Sequence, residues 1–444
     1  MTDILSIGAS GVRAYQTALT TTSENIANAG TAGYTRRVAG LREVAAPSGG
    51  ANSIPNGLGV RIDGITRTGD DLRSAEVRAA GADLARSEAG VVWLDRIETS
   101  LTGNKLDERL TAFFNAATTL AADPSASAPR ATMLQAAASL ANSFAATGAA
   151  LDGALADLDA TADGAAAQLN TLSAGLAKVN SGLGRAQSGT SSQAALLDER
   201  DRLLESMSAL TDVAVQFDAA GRASVKAGSG GPLLVHGDQA AVATYARGPD
   251  GAVSFAVYGI EGTKPLSPSG GALAGIAEGA ARLADARASL DAIAVAVVDG
   301  VNAIQAGGTD LDGNPGAALF EGGSAASMKL VLNDPRGIAA AASGAGARDN
   351  GNLSALAALR KDGAFERDLV KLTTGNASAL SARRDIAQVQ STIRANAAAA
   401  RDSVSGVNID EEAVDLIRFQ QAYQASSRVI QVARETLDTL FNIR

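Results

Sequence analysis

The apolar positions of the C-terminal stretch follow one another at steps of three and four. This spacing runs from Ile409 to Leu440 without a helix-breaking residue, which is the pattern of a heptad seam on one face of a helix. Acidic residues open the stretch, where negative charge suits the N-terminal end of a helix dipole. The pattern predicts a long C-terminal helix that needs a helical partner. The seam positions are Ile409, Glu412, Leu416, Phe419, Tyr423, Ser426, Ile430, Ala433, Leu437 and Leu440.

The N-terminal stretch repeats this spacing with smaller side chains. Only Asp3, Arg13 and Glu24 are charged in the first 33 residues, whereas a surface helix usually carries a fuller charged face. This helix is therefore either buried on several sides or not stably folded alone. We predict that the two ends of the chain pair as a coiled coil. The N-terminal seam positions are Ile4, Ile7, Gly11, Ala14, Ala18 and Thr21.

Helical periodicity also dominates the interior of the chain, with one interruption by strand-like runs. Five short alternating runs between residues 213 and 260 are separated by Gly and Asp turns, which predicts a small β insertion. Two strands are predicted within 35–68 and one within 328–332. The predicted helices cover 70–101, 106–122, 130–179, 196–210, 272–306, 353–359, 365–372 and 380–400.

These elements predict a mainly α fold with a small β insertion, of the α+β class, arranged as a nested multidomain rod. Residues 1–33 with 406–444 form the terminal coiled-coil assembly domain, and 34–69 form a β-hairpin-like connector. Residues 70–212 with 263–405 form a helical-bundle domain, which carries the β-rich insertion 213–262. Because domains lie in series in such a rod, each of the larger ones is built from both halves of the chain.

Composition and charge narrow the classes of function. The chain is 46% hydrophobic, only 3% aromatic and carries a formal charge of −9, which argues against a nucleic-acid-binding protein. It has no cysteine, so disulfides and thiolate metal sites are excluded. No basic, cleavable leader opens the sequence, and the apolar run Ala292–Ile304 is too short and too polar for membrane insertion.

Candidate chemistry is sparse, and we predict no catalytic residue, no metal site and no cofactor. His236 is the only histidine, and general-base catalysis needs a positioned partner as well. The segment Asp310–Glu321 has oxygen-bearing side chains at loop positions 1, 3, 5 and 12 of an EF-hand, but Pro315 replaces the glycine required at position 6. An Asx/Pro/Gly turn is the favoured interpretation of this segment.

Several motifs resemble those of a known family. Asn25-Ile-Ala-Asn28 followed by Gly30-Thr-Ala-Gly-Tyr34-Thr-Arg36 is similar to the N-terminal signature of bacterial flagellar axial proteins. Ser405-Gly-Val-Asn-Ile-Asp-Glu-Glu412 and Phe419-Gln-Gln-Ala-Tyr-Gln-Ala-Ser426 resemble the C-terminus of the hook-associated proteins within that group. The likeness thins between the ends, and it departs at Ala32, where the family usually has proline. The middle of the chain is also short for this family, so we expect a reduced outer β domain.

The resemblance implies a structural subunit at the junction between flagellar hook and filament, with no reaction to catalyse. It implies self-assembly, contacts with the hook protein and with a second junction protein or flagellin, and an export chaperone on the C-terminal helix. It also implies a secreted, extracellular location reached without a cleaved signal peptide. The residues that we assign to assembly are Ile4, Ile7, Gly11, Ala14, Ala18, Asn25, Asn28, Tyr34, Leu416, Phe419, Tyr423, Ile430, Ala433, Leu437 and Leu440.

Two other functions stay open at this point. A hook or distal-rod protein of the same axis is one, although the long helical segments after Asp70 favour a junction protein. A secreted helical adhesin or effector is the more distant one.

Overall fold

Long helices carry most of the chain, and short antiparallel strands fill much of the remainder. The computed structural model describes residues 2–44, 59–248 and 251–441. The helices are α1 (Thr2–Asn28), α2 (Asp71–Gly103), α3 (Leu106–Ala122), α4 (Ser127–Leu183), α5 (Ser191–Leu210), α6 (Gly271–Gly307), α7 (Gly351–Gly363), α8 (Phe365–Ser405) and α9 (Ile409–Phe441). The strands are β1 (Arg37–Glu43), β2 (Val60–Arg67), β3 (Val213–Phe217), β4 (Ala223–Ala227), β5 (Leu233–His236), β6 (Gln239–Ala240), β7 (Val242–Arg247), β8 (Val253–Gly259), β9 (Gly262–Leu266), β10 (Gly308–Thr309), β11 (Phe320–Glu321), β12 (Lys329–Leu330) and β13 (Ala341–Ala342). The predicted fold class, mainly α with a small β component, is confirmed.

The helical body is organised around α2, which packs against α5, α6 and α8. This helix begins after Asp70, whose carboxylate accepts hydrogen bonds from the backbone N–H groups of Leu72 and Arg73 and so satisfies donors at the helix start. Its inward face carries Trp93 and Ile97, which are 3% and 1% exposed. One continuous apolar core extends from this face through α3, α4 and α6.

Four phenylalanine side chains form a cluster within this core. Phe113 meets Phe114 and Phe320 edge-on, at centroid distances of 5.2 and 5.7 Å. Phe114 also stacks on Phe365 at 6.2 Å. The cluster therefore closes α3 against the start of α8 and the segment that follows α6.

The β insertion lies along α4, the longest helix. Two antiparallel sheets, in the orders β3-β4-β5-β6 and β7-β8-β9, contact this helix. Asn180 of α4 bonds to both backbone groups of Ala223, with both donor–acceptor distances 2.8 Å. Asn170 does the same with Ala243 at 2.9 and 2.6 Å. Each amide side chain thus pairs with a backbone N–H and a backbone oxygen of a strand, which would otherwise lack hydrogen-bond partners beside the helix.

One further strand follows the runs that predicted the β insertion. Strand β9, Gly262–Leu266, pairs with β8, and only Leu266 of the five residues is buried. An edge strand with a single inward side chain has no alternating pattern, so the sequence gives no strand signal there.

Two other predictions about secondary structure were wrong. Helix α8 is continuous over residues 365–405, although a break was predicted over 373–379. Asn376 explains this, because its amide donates to the backbone oxygen of Leu94 and to Glu98 on α2, so that tertiary contacts hold the polar turn helical. The strand predicted over 328–332 contains only Lys329–Leu330, and it pairs with Phe320–Glu321, where no strand was predicted.

Helix α6 is long and apolar enough to cross a membrane by length and composition alone. In this fold it is a core helix that contacts α2, α4 and α7. Its Asn302 donates to the backbone oxygen of Phe320 and accepts from the N–H groups of Leu319 and Phe320.

Strands β1 and β2 form an antiparallel hairpin that rests on the body. Gly64 of β2 touches Gly189, which precedes α5, and a Cβ added to Gly64 would lie 2.9 Å from the Cα of Gly189. Backbone N–H of Ile65 donates to the oxygen of Gly189 at 2.7 Å. Residues 45–58, which fall within the range 35–68 of the two predicted strands, lie outside the described residues. The domain boundaries stay predictions.

Candidate assembly interface

The two ends of the chain lie side by side as an antiparallel helix pair. A Cβ added to Gly8 of α1 would lie 2.7 Å from Cγ1 of Ile430, and one added to Gly11 would lie 2.6 Å from Oγ of Ser426. Only glycine leaves room for backbones this close. We call this contact between α1 and α9 the terminal seam.

Most residues assigned to assembly lie in or beside the terminal seam. Ala14, Ala18, Asn25 and Ala433 are buried, at 1%, 0%, 1% and 5% exposure. Gly11 is buried as well. The half-buried members are Ile7, Asn28, Tyr34, Leu416, Phe419, Tyr423, Ile430 and Leu437.

Two positions at the ends of the predicted seams are not covered, and one is not described. Ile4 is 48% exposed and Ile409 is 56% exposed. Both lie in the first turn of their helix, at an end of the paired segment, so the predicted seams are too long there. The side chain of Leu440 lies outside the described part of the chain. The structure adds Gly8, which the predicted spacing omits.

Helix α9 also presents a second apolar face, which the heptad analysis missed. Val414, Ile417, Val429 and Val432 are between 40% and 65% exposed. They stand at steps of three within each half of the helix, and this spacing in the sequence indicates a second apolar face. We call these four residues the outer stripe. Helix α8 carries similar exposed residues at Ile386, Val389, Ile393 and Val404.

Beneath the seam, Asn25 sits at the centre of a buried hydrogen-bond network, which we call the polar joint. Its Nδ2 donates to the backbone oxygen of Arg37 at 2.8 Å and to Oε2 of Glu412 at 2.9 Å. Its Oδ1 accepts from the hydroxyl of Tyr34 at 2.9 Å and from the N–H of Arg37 at 3.0 Å. Arg36 completes the joint by donating to Oε1 of Glu412 at 2.6 Å. All four hydrogen-bonding positions of the Asn25 amide are therefore satisfied.

The polar joint gives a physical reason for the sequence signature. Asn25 and Tyr34 belong to the N-terminal motif, and Glu412 ends the C-terminal one. The three side chains meet because α1 and α9 are antiparallel. Burial raises the pKa of Tyr34 to about 12, and the hydrogen bond to Glu412 raises the pKa of Arg36 above its usual value.

An ion-pair cluster fastens the hairpin to the body. Arg37 donates to Asp198 of α5 at 3.1 Å, and Arg67 lies 3.0 Å from the same carboxylate. Arg67 also donates to Asp201 at 2.7 Å. Burial raises the pKa of Asp198, and the attraction of Arg67 and Arg37 offsets this only in part. This cluster was not predicted, because nothing in the sequence aligns residues 37 and 67 with α5.

The segments considered for other chemistry have ordinary structural roles. Nδ1 of His236 lies 2.6 Å from Oγ of Ser224 on an exposed surface. Asp310 accepts hydrogen bonds from the N–H groups of Asp312 and Asn314, which is an Asx turn, and Asp312 is paired with Arg336. Within residues 2–44, 59–248 and 251–441, no group of three or more His, Cys, Asp or Glu could hold a metal ion.

A structural subunit whose two ends pair over a helical body is the class of protein that this geometry defines. Residues 94–320 match the family described as the helical domain of flagellar hook-associated protein FlgK, and residues 400–443 match the C-terminal domain of flagellar basal body rod FlgEFG proteins. The chain belongs to the FlgK family of flagellar hook-associated proteins, and it is a structural protein of the hook–filament junction.

Individual relatives agree with this assignment. Flagellar hook-associated protein 1 of Salmonella typhimurium is 23% identical over 557 aligned positions, which cover 100% of both chains. The Bacillus subtilis protein of the same description is 24% identical over 487 positions, covering 97% of this chain and 96% of its own. The Salmonella alignment is longer than this chain, so that relative has segments that this one lacks.

A solved structure is similar as well. The flagellar hook junction protein FlgK from Burkholderia pseudomallei is 25% identical with a TM-score of 0.50, over 56% of this chain and 46% of that one. The structural match thus spans less than half of the solved protein. The comparisons place the chain in a flagellar, exported and extracellular structure.

Proposed function

We propose that the subunit joins hook to filament by packing its terminal helices against those of neighbouring copies. The hook protein would contact one end of this assembly, and a second junction protein or flagellin the other. The outer stripe is the observation that carries the proposal. Helix α9 already covers one apolar face with α1, yet its other face leaves Val414, Ile417 and Val432 at least 55% exposed. A helix that is apolar on two faces needs a second partner.

The polar joint and the ion-pair cluster give the pair a fixed attachment. Glu412 ties α9 to Arg36, and Asp198 ties Arg37 to the body. A subunit that repeats head to tail needs such fixed geometry, because small angular errors accumulate along an open assembly. On this proposal, residues 1–33 with 406–444 act as the assembly domain, 34–69 as the connector, and 70–405 as the outer body with its β insertion.

No enzymatic activity and no cofactor enter this proposal. The same holds for nucleic acid, which the formal charge of −9 disfavours, and for membrane insertion. Before assembly, we propose that an export chaperone covers α9, because an exposed apolar stripe favours aggregation. Export would proceed without a cleaved signal peptide.

Val432→Asp tests the proposal on a residue that the isolated subunit leaves 60% exposed. An exposed substitution changes the free energy of unfolding by about 0.5 kcal/mol or less. An unpaired carboxylate in a packed interface costs several kcal/mol. We therefore expect the variant to fold normally, as measured by circular dichroism and Trp93 fluorescence. In a complemented deletion strain it should not support filament attachment.

Gln431→Asp is the matched control, since it introduces the same charge at the adjacent, exposed position. We expect cells with this variant to keep filaments and motility. Normal filaments on cells that carry Val432→Asp would show that the outer stripe is not an assembly surface.

A further inference from the structure

A cavity of about 930 Å³ lies between the terminal pair and the body. The loop that follows α1 forms one wall, the end of α8 a second, and α2 and α5 the others. Ala29, Val404 and Val407 contribute apolar surface, and both acidic and basic side chains are among the other lining residues.

One of the charged side chains in this cavity stands apart from the others. Arg78 of α2 lines the cavity and is only 8% exposed. Its guanidinium forms no hydrogen bond and no ion pair with any residue in the described part of the chain. Burial lowers the pKa of its guanidinium, which the carboxylate of Asp201 opposes only in part.

The acids that line the cavity already have donors of their own. Asp201 pairs with Arg67 and Arg200, Glu205 with Arg394 and Arg401, Asp402 with Arg401, and Glu411 with Asn408.

The remaining cations of the lining are also matched. Arg36 pairs with Glu412, Arg67 with Asp198, Arg202 with Glu199, and Arg401 with Glu205. Within residues 2–44, 59–248 and 251–441, Arg78 is thus left as a buried cation without an acceptor. Such a charge destabilises a fold unless something pairs with it.

We propose that this cavity binds a carboxylate on a short aliphatic stem, held by the guanidinium of Arg78. The planar fork of arginine matches the two oxygens of a carboxylate. A singly charged group balances the charge of Arg78, whereas a phosphate dianion would leave an excess negative charge beside Asp201, Glu205 and Asp402. The apolar residues of the lining accommodate the stem. The group comes either from a free small carboxylate or from an acidic side chain of a neighbouring copy.

Propionate is the probe, because it reproduces the end of a glutamate side chain. The melting temperature of the full chain is followed by the fluorescence of Trp93, which shares α2 with Arg78. Propionate replaces chloride at constant ionic strength. For wild type we expect a rise of about 2 °C at saturating propionate, by binding to the folded state alone.

Arg78→Met keeps an unbranched apolar stem and removes the guanidinium with its charge. This variant should melt higher than wild type in chloride and should show no rise with propionate. Arg73→Met is the control on the same helix, at an exposed position paired with Glu76, and it should keep the full rise. Arg78→Lys keeps the charge without the planar fork, so its melting temperature should rise less with propionate than that of wild type. This variant provides the test if Arg78→Met does not fold.

Self-association of the full chain, measured by sedimentation, separates the two sources of the carboxylate. The variant that decides between them is Arg78→Met, compared with wild type in chloride. Its weaker association, at unchanged helicity, assigns the carboxylate to a neighbouring copy and rests on the proposed assembly role. Unchanged association assigns it to a free ligand. An identical response of wild type and Arg78→Met to propionate, or none in wild type, overturns the proposal whatever the association shows.

Discussion

Glu412 is the residue on which the polar joint depends, and replacing it with glutamine isolates the contribution of its charge. The side chain is 2% exposed and accepts a hydrogen bond from Arg36 at 2.6 Å. It accepts another from Asn25 at 2.9 Å. Glutamine fills the same volume, but it has one acceptor oxygen in place of two and no charge to balance Arg36.

The magnitude follows from the burial of the two partners. Breaking a fully buried ion pair by removing one partner costs about 3–5 kcal/mol. Arg36 is 25% exposed and keeps Asp415 at 3.6 Å, so water and a second carboxylate compensate part of the loss. We therefore expect Glu412→Gln to weaken the attachment of the terminal pair by about 2–3 kcal/mol.

Hydrogen exchange measured by mass spectrometry on the purified subunit tests this value. A loss of that size should speed exchange in α1 and α9 by roughly 30- to 150-fold, since each 1.4 kcal/mol changes the equilibrium constant for local opening about tenfold. The melting of the body, reported by Trp93, should stay the same. Glu411→Gln, at the exposed neighbouring position, should change neither. Unchanged exchange in α1 and α9 for Glu412→Gln would refute the reasoning.

The seam and the phenol of the joint give two further predictions. Gly11→Ala places a Cβ 2.6 Å from Oγ and 3.1 Å from Cβ of Ser426, so we expect it to cost about 1–3 kcal/mol of helix pairing and to abolish motility. Adding Ser426→Gly should restore both, and failure of this rescue would show that the two positions do not meet. The pKa of Tyr34 is raised to about 12 in the folded subunit, so this phenol ionises at lower pH in the unfolded chain. The free energy of unfolding should therefore be at its full value below about pH 10 and should fall between pH 10 and pH 12. Ultraviolet titration should show a late component that Tyr34→Phe removes, and a wild-type titration complete by pH 11 would contradict this.

The long helices could be predicted from the sequence because their periodicity and their ends are both local signals. Helix α3 has the predicted bounds, 106–122, because its leucines repeat at helical spacing and Asp123-Pro124 follows them directly. Elements defined by distant contacts could not be predicted in this way. The turn around Asn376 is helical because α2 supplies its hydrogen bonds, and β9 is a strand because β8 lies beside it.

In the candidate site, too, local patterns predicted some residues, whereas distant contacts explain others. Spacing alone indicated Ala14, Ala18 and Ala433 as positions that are buried in the fold. The resemblance pointed to Asn25 and Tyr34, but it gave no reason for them. Their reason is a carboxylate 387 residues away from Asn25, and no local pattern reports a partner at that distance.

That separation sets an order for folding. Closing a free loop of this length costs about 5 kcal/mol of chain entropy, which a few hydrogen bonds cannot recover. The body removes most of this cost, because its own folding brings the N–H of Arg36 within 2.9 Å of the backbone oxygen of Ser405. The helices on either side then meet as near neighbours. A chain that is truncated, or whose body is misfolded, never presents the paired ends, so the surface that assembles forms only on a complete and folded subunit.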